Sequence, residues 1–302
     1  MISRRDMLGV ALLSQSGFGQ TGGQESVTRS GSGLRLERQG DPSRPAVAIF
    51  IPGQTAPAAK IEMPEHAWRK EGQSGEQLWF YRMYTSDAAT RGTVQWSRTE
   101  DTLSYSMQTP SGFVLKAGAR LEADGVSITY EVQAPSREPL ATVEAPTCVK
   151  LYRPFTDVFL ERTFVHHPTG LDLIASETPE RLSMNAEEWL PIRYIVPVGR
   201  DAAGAQGRRE RLDGVTRYFK SRAADVAFIA TESQPKGWVA ATHGLGCPSL
   251  FTNPARTCHH ADPRVEPAAE GRAQMRLKVY MVRGSLQELW PRVAGRDRAG
   301  EV

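Results

Sequence analysis

The residues with the greatest chemical potential lie in one short segment, residues 257–263, where Cys258, His260 and Asp262 occupy alternate positions. In an extended strand, alternate side chains project from one face. A thiol, an imidazole and a carboxylate on one face can ligate a metal, or His260 and Asp262 can transfer protons. The alternative is that Asp262 caps a turn before Pro263 and that backbone groups satisfy the histidines. A metal is the least favoured interpretation, because neither CxxC nor HExxH spacing supports it.

A second group of reactive side chains lies around residue 161. Arg162 and His166 share one face of a predicted strand, where they suit hydroxyl-rich or anionic ligands. Glu161 can act as a general base if it faces a cleft. An Arg–Glu surface pair on an edge strand, followed by a turn, explains the same residues at least as well.

Aromatic residues and one asparagine complete the set of candidates. Four tryptophans can stack against sugar rings, although aromatic residues in alternating strands usually belong to the core. These tryptophans are Trp79, Trp96, Trp189 and Trp238. Asn253 precedes a proline, so we interpret it as a turn initiator first and a ligand contact second.

The elements that must position these side chains are predicted to be β-strands. Between residues 102 and 132, apolar and polar residues alternate through three segments, separated by turn signals at residues 110–112 and at Asp124-Gly125. A period of two predicts strands with one buried and one wetted face. This segment therefore predicts a three-stranded antiparallel meander.

Weaker alternation predicts further strands over residues 78–84, 93–97, 158–165, 189–196, 226–231, 238–242 and 273–281. Residues 285–290 are predicted to be helical, with Ser285 as N-cap and Glu288 three positions later. Residues 200–213 are predicted to form a loop. Many short strands separated by turn signals predict an all-β, antiparallel β-sandwich with a short C-terminal helix.

Composition limits the classes of protein that remain. Hydrophobic residues make up 40% of the 302 residues, which excludes a disordered or collagen-like chain. The chain has 37 Lys+Arg and 34 Asp+Glu, interleaved to a net charge of +3, so we predict no nucleic-acid partner. Its three cysteines, Cys148, Cys247 and Cys258, allow at most one disulfide, for which Cys148–Cys258 and Cys247–Cys258 are the first options.

The amino terminus predicts export. Arg4 and Arg5 precede the short apolar stretch 9–13, which is typical of a twin-arginine signal. That stretch is far below the roughly 20 residues that a membrane-spanning helix needs. We therefore predict a signal and flexible leader over residues 1–32, one sandwich domain over 33–302, a periplasmic or extracellular location, and no membrane anchor after export. The alternative is a disordered basic start without a targeting role.

Three segments carry a resemblance to a known family. Residues 144–151 (EAPTCVKL), 160–165 (LERTFV) and 258–263 (CHHADP), with a terminal strand ending VRGSL at 282–286, resemble a group of secreted bacterial proteins. That group is similar to the galactose-mutarotase-like (aldose epimerase-like) superfamily, and the likeness runs from about residue 77 to 293. The resemblance implies a large twisted antiparallel β-sandwich that handles carbohydrates.

The resemblance also implies chemistry on a sugar ring, by a histidine general acid and a glutamate general base. In this chain His260 can serve as the acid and Glu161, or Asp262, as the base. The residues predicted to bind the sugar are Arg162, His166, Trp238 and Asn253. The superfamily's usual signatures around the acid and base are missing here, and fold does not fix function. We therefore predict a carbohydrate ligand without a cofactor, and keep a non-catalytic glycan-binding module and, less favoured, a metal-dependent enzyme as alternatives.

Overall fold

The structure, a computed structural model, describes residues 26–28, 32–39, 44–71, 76–82, 93–109, 112–136, 141–189, 192–199, 209–212, 215–266 and 269–302. The predicted export signal lies outside these residues.

The chain is built mainly of short strands. The first twelve are β1 (Ser26–Thr28), β2 (Arg35–Gln39), β3 (Ala46–Phe50), β4 (Ala59–Glu62), β5 (His66–Glu71), β6 (Glu76–Arg82), β7 (Thr93–Arg98), β8 (Thr102–Gln108), β9 (Val114–Glu122), β10 (Gly125–Gln133), β11 (Val143–Glu144) and β12 (Val149–Leu151). The remaining strands are β13 (Thr163–His167), β14 (Gly170–Leu173), β15 (Arg193–Pro197), β16 (Arg209–Leu212), β17 (Val215–Phe219), β18 (Phe228–Glu232), β19 (Trp238–Gly244), β20 (Ser249–Thr252), β21 (Cys258–His259), β22 (Arg264–Val265) and β23 (Arg272–Arg283). The described helices are α1 (Ala186–Trp189), α2 (Leu286–Arg298) and the 3-10 segments Pro179–Leu182 and Ala269–Gly271.

The strands form four sheets. One has nine strands in the order β14-β13-β18-β19-β23-β10-β9-β8-β7, and one has six in the order β1-β2-β3-β4-β12-β21. Two four-stranded sheets have the orders β22-β11-β5-β6 and β16-β17-β15-β20. Strands β15 and β17 are parallel, whereas all pairs within the two large sheets are antiparallel.

The main core lies between the two large sheets. Val47 and Ile61 from the six-stranded sheet share one cluster of buried residues with Leu115 and Ile128 from the nine-stranded sheet. Burial of apolar surface between sheets is what stabilises such a sandwich. The predicted fold class is therefore confirmed as mostly β, with antiparallel sheets and a C-terminal helix.

The predicted meander is confirmed as β8, β9 and β10. Along β9, Leu115, Ala117, Ala119 and Leu121 are buried, while Lys116 and Arg120 between them are exposed. The turn differs from the prediction by one residue. Gly125 pairs with Glu122, so the hairpin loop is Ala123-Asp124 and Gly125 belongs to β10.

Strand β13 begins at Thr163, five residues later than predicted. The carboxylate of Asp157 accepts the backbone N–H groups of Glu161 over 3.1 Å and of Arg162 over 2.8 Å. Leu160 has a φ of 52°, which is the left-handed region that interrupts a strand. These contacts form a turn where the sequence pattern predicted an extended chain.

Other boundaries also differ from the sequence predictions. The strand predicted over 189–196 begins at Arg193, because Trp189 ends α1. Within the loop predicted over 200–213, residues 209–212 form β16 and pair with β17. Strand β1 lies inside the predicted leader and pairs with β2.

Helix α2 extends to Arg298, beyond the predicted end at residue 290. Its start is confirmed, because Ser285 and Glu288 form a capping box. The helix continues past Pro291 with Val293 buried in the cluster that contains Phe228 and Tyr280. That cluster covers part of the nine-stranded sheet, so packing outweighs the hydrogen bond that proline cannot make.

Gly125 provides a test of the β10–β23 register. Its φ is 149°, and a Cβ here would lie 2.1 Å from the carbonyl oxygen of Val279 and 2.8 Å from Cα of Tyr280. We expect Gly125→Ala to lower the free energy of unfolding by more than about 2 kcal/mol, because backbone atoms must move. Urea denaturation measures this change.

The matched control is Gly295→Ala in α2. In the part of the chain that the structure describes, no atom lies within 4 Å of a Cβ at residue 295, and alanine favours a helix interior over glycine by about 1 kcal/mol. We therefore expect the control to raise the free energy of unfolding. A Gly125→Ala variant as stable as the wild type would contradict the register.

Candidate functional site

An open cavity of about 1220 Å³ lies where the β9–β10 hairpin, β19, β23 and α2 meet. Trp238 at the start of β19 contributes to its wall. The charged residues that line it are Asp101, Arg120, Glu122, Asp124, Arg283, Arg292 and Arg296. An open pocket with an indole ring and several charged groups can bind a polar ligand.

Beside this cavity, the buried ammonium group of Lys278 fixes the position of two lining carboxylates. The Lys278 side chain is 0% exposed, and its Nζ lies 2.6 Å from Glu122 Oε2 and 2.7 Å from Asp124 Oδ1. A buried cation is stable only when carboxylates compensate the loss of water. The two carboxylates at the β9–β10 hairpin are therefore held in place by a residue of β23.

Glu122 is ionised in this setting. Burial alone would raise its pKa, but hydrogen bonds from Lys278, Arg120 and Ser127 lower the pKa of Glu122 to about 2. The Ser127 hydroxyl donates to Oε1 over 2.8 Å, and Arg120 donates to the same oxygen over 2.7 Å. The carboxylate accepts from Ser127 of β10 and Lys278 of β23, and from Arg120 of its own strand β9.

Asp124 connects the hairpin to α2. Arg292 on α2 donates to Asp124 Oδ2, and Nη2 of Arg296 lies 3.7 Å from the same oxygen. Positions 292 and 296 are four residues apart and therefore share one face of the helix. The arginine face of α2 is thereby directed at the cavity.

Trp238 and Arg283 face one another across β19 and β23, where they are paired in the register. The guanidinium carbon of Arg283 lies 5.2 Å from the centroid of the indole ring, a distance typical of a cation–π contact. Trp238 also lines a neighbouring cavity of about 390 Å³. This tryptophan therefore contributes to the walls of both cavities.

His260 and Asp262 are brought together, as predicted, but they are buried. His260 is 3% exposed, its ring stacks on Phe251 at 3.7 Å between centroids, and its Nδ1 lies 3.2 Å from Asp262 Oδ1. Asp262 also accepts the backbone N–H of Thr147 over 2.8 Å. Burial alone would lower the pKa of His260, but Asp262 and Cys258 raise it to about 10.

Two thiols lie beside this pair. A hydrogen bond with Cys148 holds the pKa of Cys258 well below its usual range and raises that of Cys148. All three cysteines of the chain are free thiols in the structure, and all are buried. One ligand atom each of Cys148, Cys258 and His260 lies within 4.8 Å of the other two.

His259 lies on the opposite face from His260, as the alternation predicted. It is 0% exposed, with Nε2 2.8 Å from the Thr231 hydroxyl and Nδ1 3.3 Å from that of Thr242. Burial lowers the pKa of His259 to about 3, so it is neutral and joins the six-stranded sheet to β18 and β19.

Glu161 and Arg162 lie at the turn before β13. Glu161 is exposed, whereas Arg162 donates from its guanidinium to the carbonyl oxygens of Thr156 and Glu232. Arg162 therefore braces this turn. The predicted roles of the two residues, as base and as ligand contact, stay predictions.

His166 and Asn253 also have partners within the chain. His166 stacks on Trp290 at 3.6 Å between centroids and places Nδ1 2.8 Å from Asp225. Asn253 accepts the backbone N–H of Ala255 over 3.1 Å, which is the turn contact expected of asparagine. The predicted binding roles of His166 and Asn253 stay predictions. Among the residues predicted to contact the sugar, Trp238 lines the cavity described above.

The other tryptophans divide between core and surface. Trp189 is 0% exposed and donates from Nε1 to the carbonyl of Val158 over 2.6 Å. Trp96 is half-buried and lines a shallow groove on the meander. The side chain of Trp79 lies outside the described part of the chain.

Sequence reasoning missed the arginines and carboxylates of the cavity. The available signals were the turn residue Asp124 and the four-residue spacing of Arg292 and Arg296. The helix was predicted to end at residue 290, before both arginines. Their four-residue spacing therefore could not be recognised as placing them on one face of a helix.

Comparison with known proteins shows similarity of structure only. No family model matches the chain, and the search of curated proteins gave no match. A galactose mutarotase-like protein from Lactobacillus casei is 10% identical, with 86% of this chain and 100% of that chain covered and a TM-score of 0.47. A galactose mutarotase related enzyme from Lactobacillus acidophilus is 8% identical, with 86% and 97% covered and a TM-score of 0.47.

A larger protein is also similar. The α-N-acetylgalactosaminidase NagBb from Bifidobacterium bifidum, in complex with GalNAc, is 13% identical, with a TM-score of 0.45. The similarity covers 84% of this chain and 35% of that protein. The resemblance to galactose-mutarotase-like proteins is thus confirmed as a structural similarity at low sequence identity.

The described residues contain no helix that is long and apolar enough to cross a membrane.

The charge network predicts how stability depends on pH. The pKa of Glu122 falls from 4.5, its ordinary value, to about 2 in the folded protein. Its stabilising contribution is therefore fully present above about pH 4.5 and is lost as the pH falls towards 2. We expect Glu122→Gln to weaken the pH dependence of the free energy of unfolding in this window, measured by denaturant titration at several pH values.

The control is Glu131→Gln, which changes an exposed glutamate on β10. We expect this variant to retain the wild-type pH dependence. If Glu122→Gln and Glu131→Gln weaken the pH dependence of the free energy of unfolding equally, the assigned network is wrong.

Proposed function

We propose that the protein binds a carbohydrate that carries a carboxylate, such as a uronic acid oligosaccharide, in the cavity lined by Trp238 and Arg283. The observation that carries this proposal is the composition of the cavity wall. It combines one partly buried indole with four guanidinium groups and three carboxylates.

The indole supplies the contact with the sugar ring. The faces of pyranose rings present C–H groups, and these pack favourably on the negatively polarised face of an aromatic ring. Trp238 is half-buried, so its ring position is fixed while part of it stays accessible. A rigid aromatic surface binds a sugar at a low cost in side-chain entropy.

The charges favour an acidic sugar over a neutral one. Four arginines line the wall and Lys278 lies behind it, against Asp101, Glu122 and Asp124, which leaves an excess of two positive charges. Glu122 and Asp124 are already paired with Lys278. Within the described residues, no carboxylate pairs with Arg283, so its planar guanidinium is available for bidentate hydrogen bonds to a ligand carboxylate.

The geometry favours binding over the acid–base alternative. Ring opening or epimerisation by His260, with Glu161 or Asp262, requires a sugar to reach both proton-carrying groups. The imidazole is 3% exposed and is covered by Phe251, whereas the cavity at Trp238 is open. A sugar would reach the cavity at Trp238 more easily than it would reach His260. Epimerase-like catalysis by His260 with Glu161 or Asp262 stays a prediction.

Export forms part of the same proposal. The twin-arginine pattern at Arg4 and Arg5 would take the protein out of the cytoplasm, where it could meet extracellular carbohydrate. Fusion of residues 1–32 to a reporter that is active only after export tests this part independently of binding.

Removal of the indole tests the aromatic contact. We expect Trp238→Ala to weaken binding of uronic acid oligosaccharides about tenfold, because the ring surface that packs on the sugar is lost. Isothermal titration calorimetry against a panel of such oligosaccharides measures the change. Trp96→Ala removes a half-buried tryptophan from a different groove and should leave the affinity unchanged. The reverse result would move the site to that groove.

Removal of one positive charge tests the preference for an acidic ligand. We expect Arg283→Gln to weaken binding of the acidic oligosaccharide about tenfold, because a charge-assisted hydrogen bond is lost. Binding of its carboxyl-reduced, neutral counterpart should change less than about twofold. Arg298→Gln removes the same charge from an exposed position of α2 that does not line the cavity. Equal losses for both ligands, or in both variants, would contradict recognition of a carboxylate.

A further inference from the structure

A second site lies in the six-stranded sheet, where a residue distant in sequence joins the predicted Cys258–His260–Asp262 face. Strands β12 and β21 are antiparallel, with Val149 opposite His259 and Lys150 opposite Cys258. The same register places Cys148 opposite His260. Paired residues share a face, so two thiols and one imidazole lie side by side.

These three side chains form a compact, dry set of ligands. One ligand atom from each lies within 4.8 Å of the other two. Cys148, Cys258 and His260 are 4%, 3% and 3% exposed. Two sulfurs and one imidazole nitrogen are the donor set of ions of borderline softness, above all Zn²⁺.

The contacts of His260 match those of a metal-binding histidine. Its Nδ1 lies 3.2 Å from Asp262 Oδ1, which leaves Nε2 as the ligand atom. Asp262 is itself held by the backbone N–H of Thr147 over 2.8 Å. A carboxylate behind the distal nitrogen is the usual arrangement for a histidine that binds zinc, because it fixes the tautomer and the ring orientation.

An independent observation concerns Glu62. Its carboxylate lies within 4.8 Å of the Cys148 sulfur, and its side chain is 2% exposed. Lys150 Nζ lies 2.6 Å from Oε1, but among the described residues buried Oε2 has no hydrogen-bond partner. A buried acceptor is rarely left without a partner, and a cation next to Cys148 would supply one.

We propose that Cys148, Cys258 and His260 bind one Zn²⁺ ion, next to the carboxylate of Glu62. Binding releases the protons that the two thiols and the ligating imidazole nitrogen carry beforehand, because thiolates and a neutral imidazole are the ligands. The ion would join β12 to β21 and so fix the edge of the six-stranded sheet. Since no ligand position faces the open cavity, the role of the ion is structural.

The test uses the full chain, purified under reducing conditions without chelators, incubated with Zn²⁺ and freed of excess metal by gel filtration. We expect elemental analysis to give about one zinc per chain. Cys258→Ser and Cys148→Ser should retain less than a tenth of that amount. Cys247→Ser is the matched control, because this buried thiol donates to the carbonyl of Ser249 and lies outside the ligand set.

A measurement on the wild-type chain avoids dependence on variants that fold poorly. Co²⁺ in place of Zn²⁺ should produce a thiolate-to-cobalt charge-transfer band, and Zn²⁺ should raise the melting temperature reversibly with respect to a chelator. The proposal is overturned if the reduced wild-type chain retains no zinc and gives no such band. It is equally overturned if Cys258→Ser binds as much zinc as the wild type, or if Cys148 and Cys258 form a disulfide in the presence of reductant and Zn²⁺.

Discussion

The buried ammonium group of Lys278 is the interaction on which the arrangement of the cavity depends. It comes from the middle of β23, the strand that pairs with β10 on one side and β19 on the other. Removing a lysine from water costs several kcal/mol unless charges compensate it, and here Glu122 and Asp124 both do so. The compensation is more than complete, since two carboxylates face one ammonium. The second negative charge is satisfied by Arg292 and Arg296 of α2.

These ion pairs explain why the cavity, although lined by carboxylates, can accept an anionic ligand. Two of the three carboxylates in the wall, Glu122 and Asp124, are paired with cations of the fold, whereas Asp101 accepts from the hydroxyls of Thr99 and Thr102. Glu122 and Asp124 therefore position the arginines around them instead of repelling an anionic ligand. The Arg283 guanidinium lies outside this chain of pairs and rests on Trp238. A charge that stacks on an aromatic ring is oriented without being neutralised. The site that results combines a fixed ring surface with an available cation.

The sequence predicted the fold best where one face of a strand is wetted. The meander β8–β10 shows clear alternation, because in β8, in β9 and from Val126 onwards in β10 each buried residue is followed by a half-buried or exposed one. Strand β3 has the opposite property: all five of its residues, AVAIF, are buried, so no alternation marks it. Periodicity also cannot show sheet order, since the pairing of β10 with β23 joins segments about 150 residues apart.

The candidate sites show the same limit on a smaller scale. The alternation of His259 and His260 was predictable, because it is a property of one short segment. Their states were not. Burial between two hydroxyl groups lowers the pKa of His259 to about 3, whereas Asp262 and Cys258 raise that of His260 to about 10. Two adjacent and identical side chains therefore differ in charge at neutral pH, because the two faces of one strand meet different partners. Asp262 lies within the same segment, but the thiol of Cys148 lies directly before β12, more than a hundred residues earlier, which is why the spacing of ligands along the chain left a metal as the least favoured interpretation.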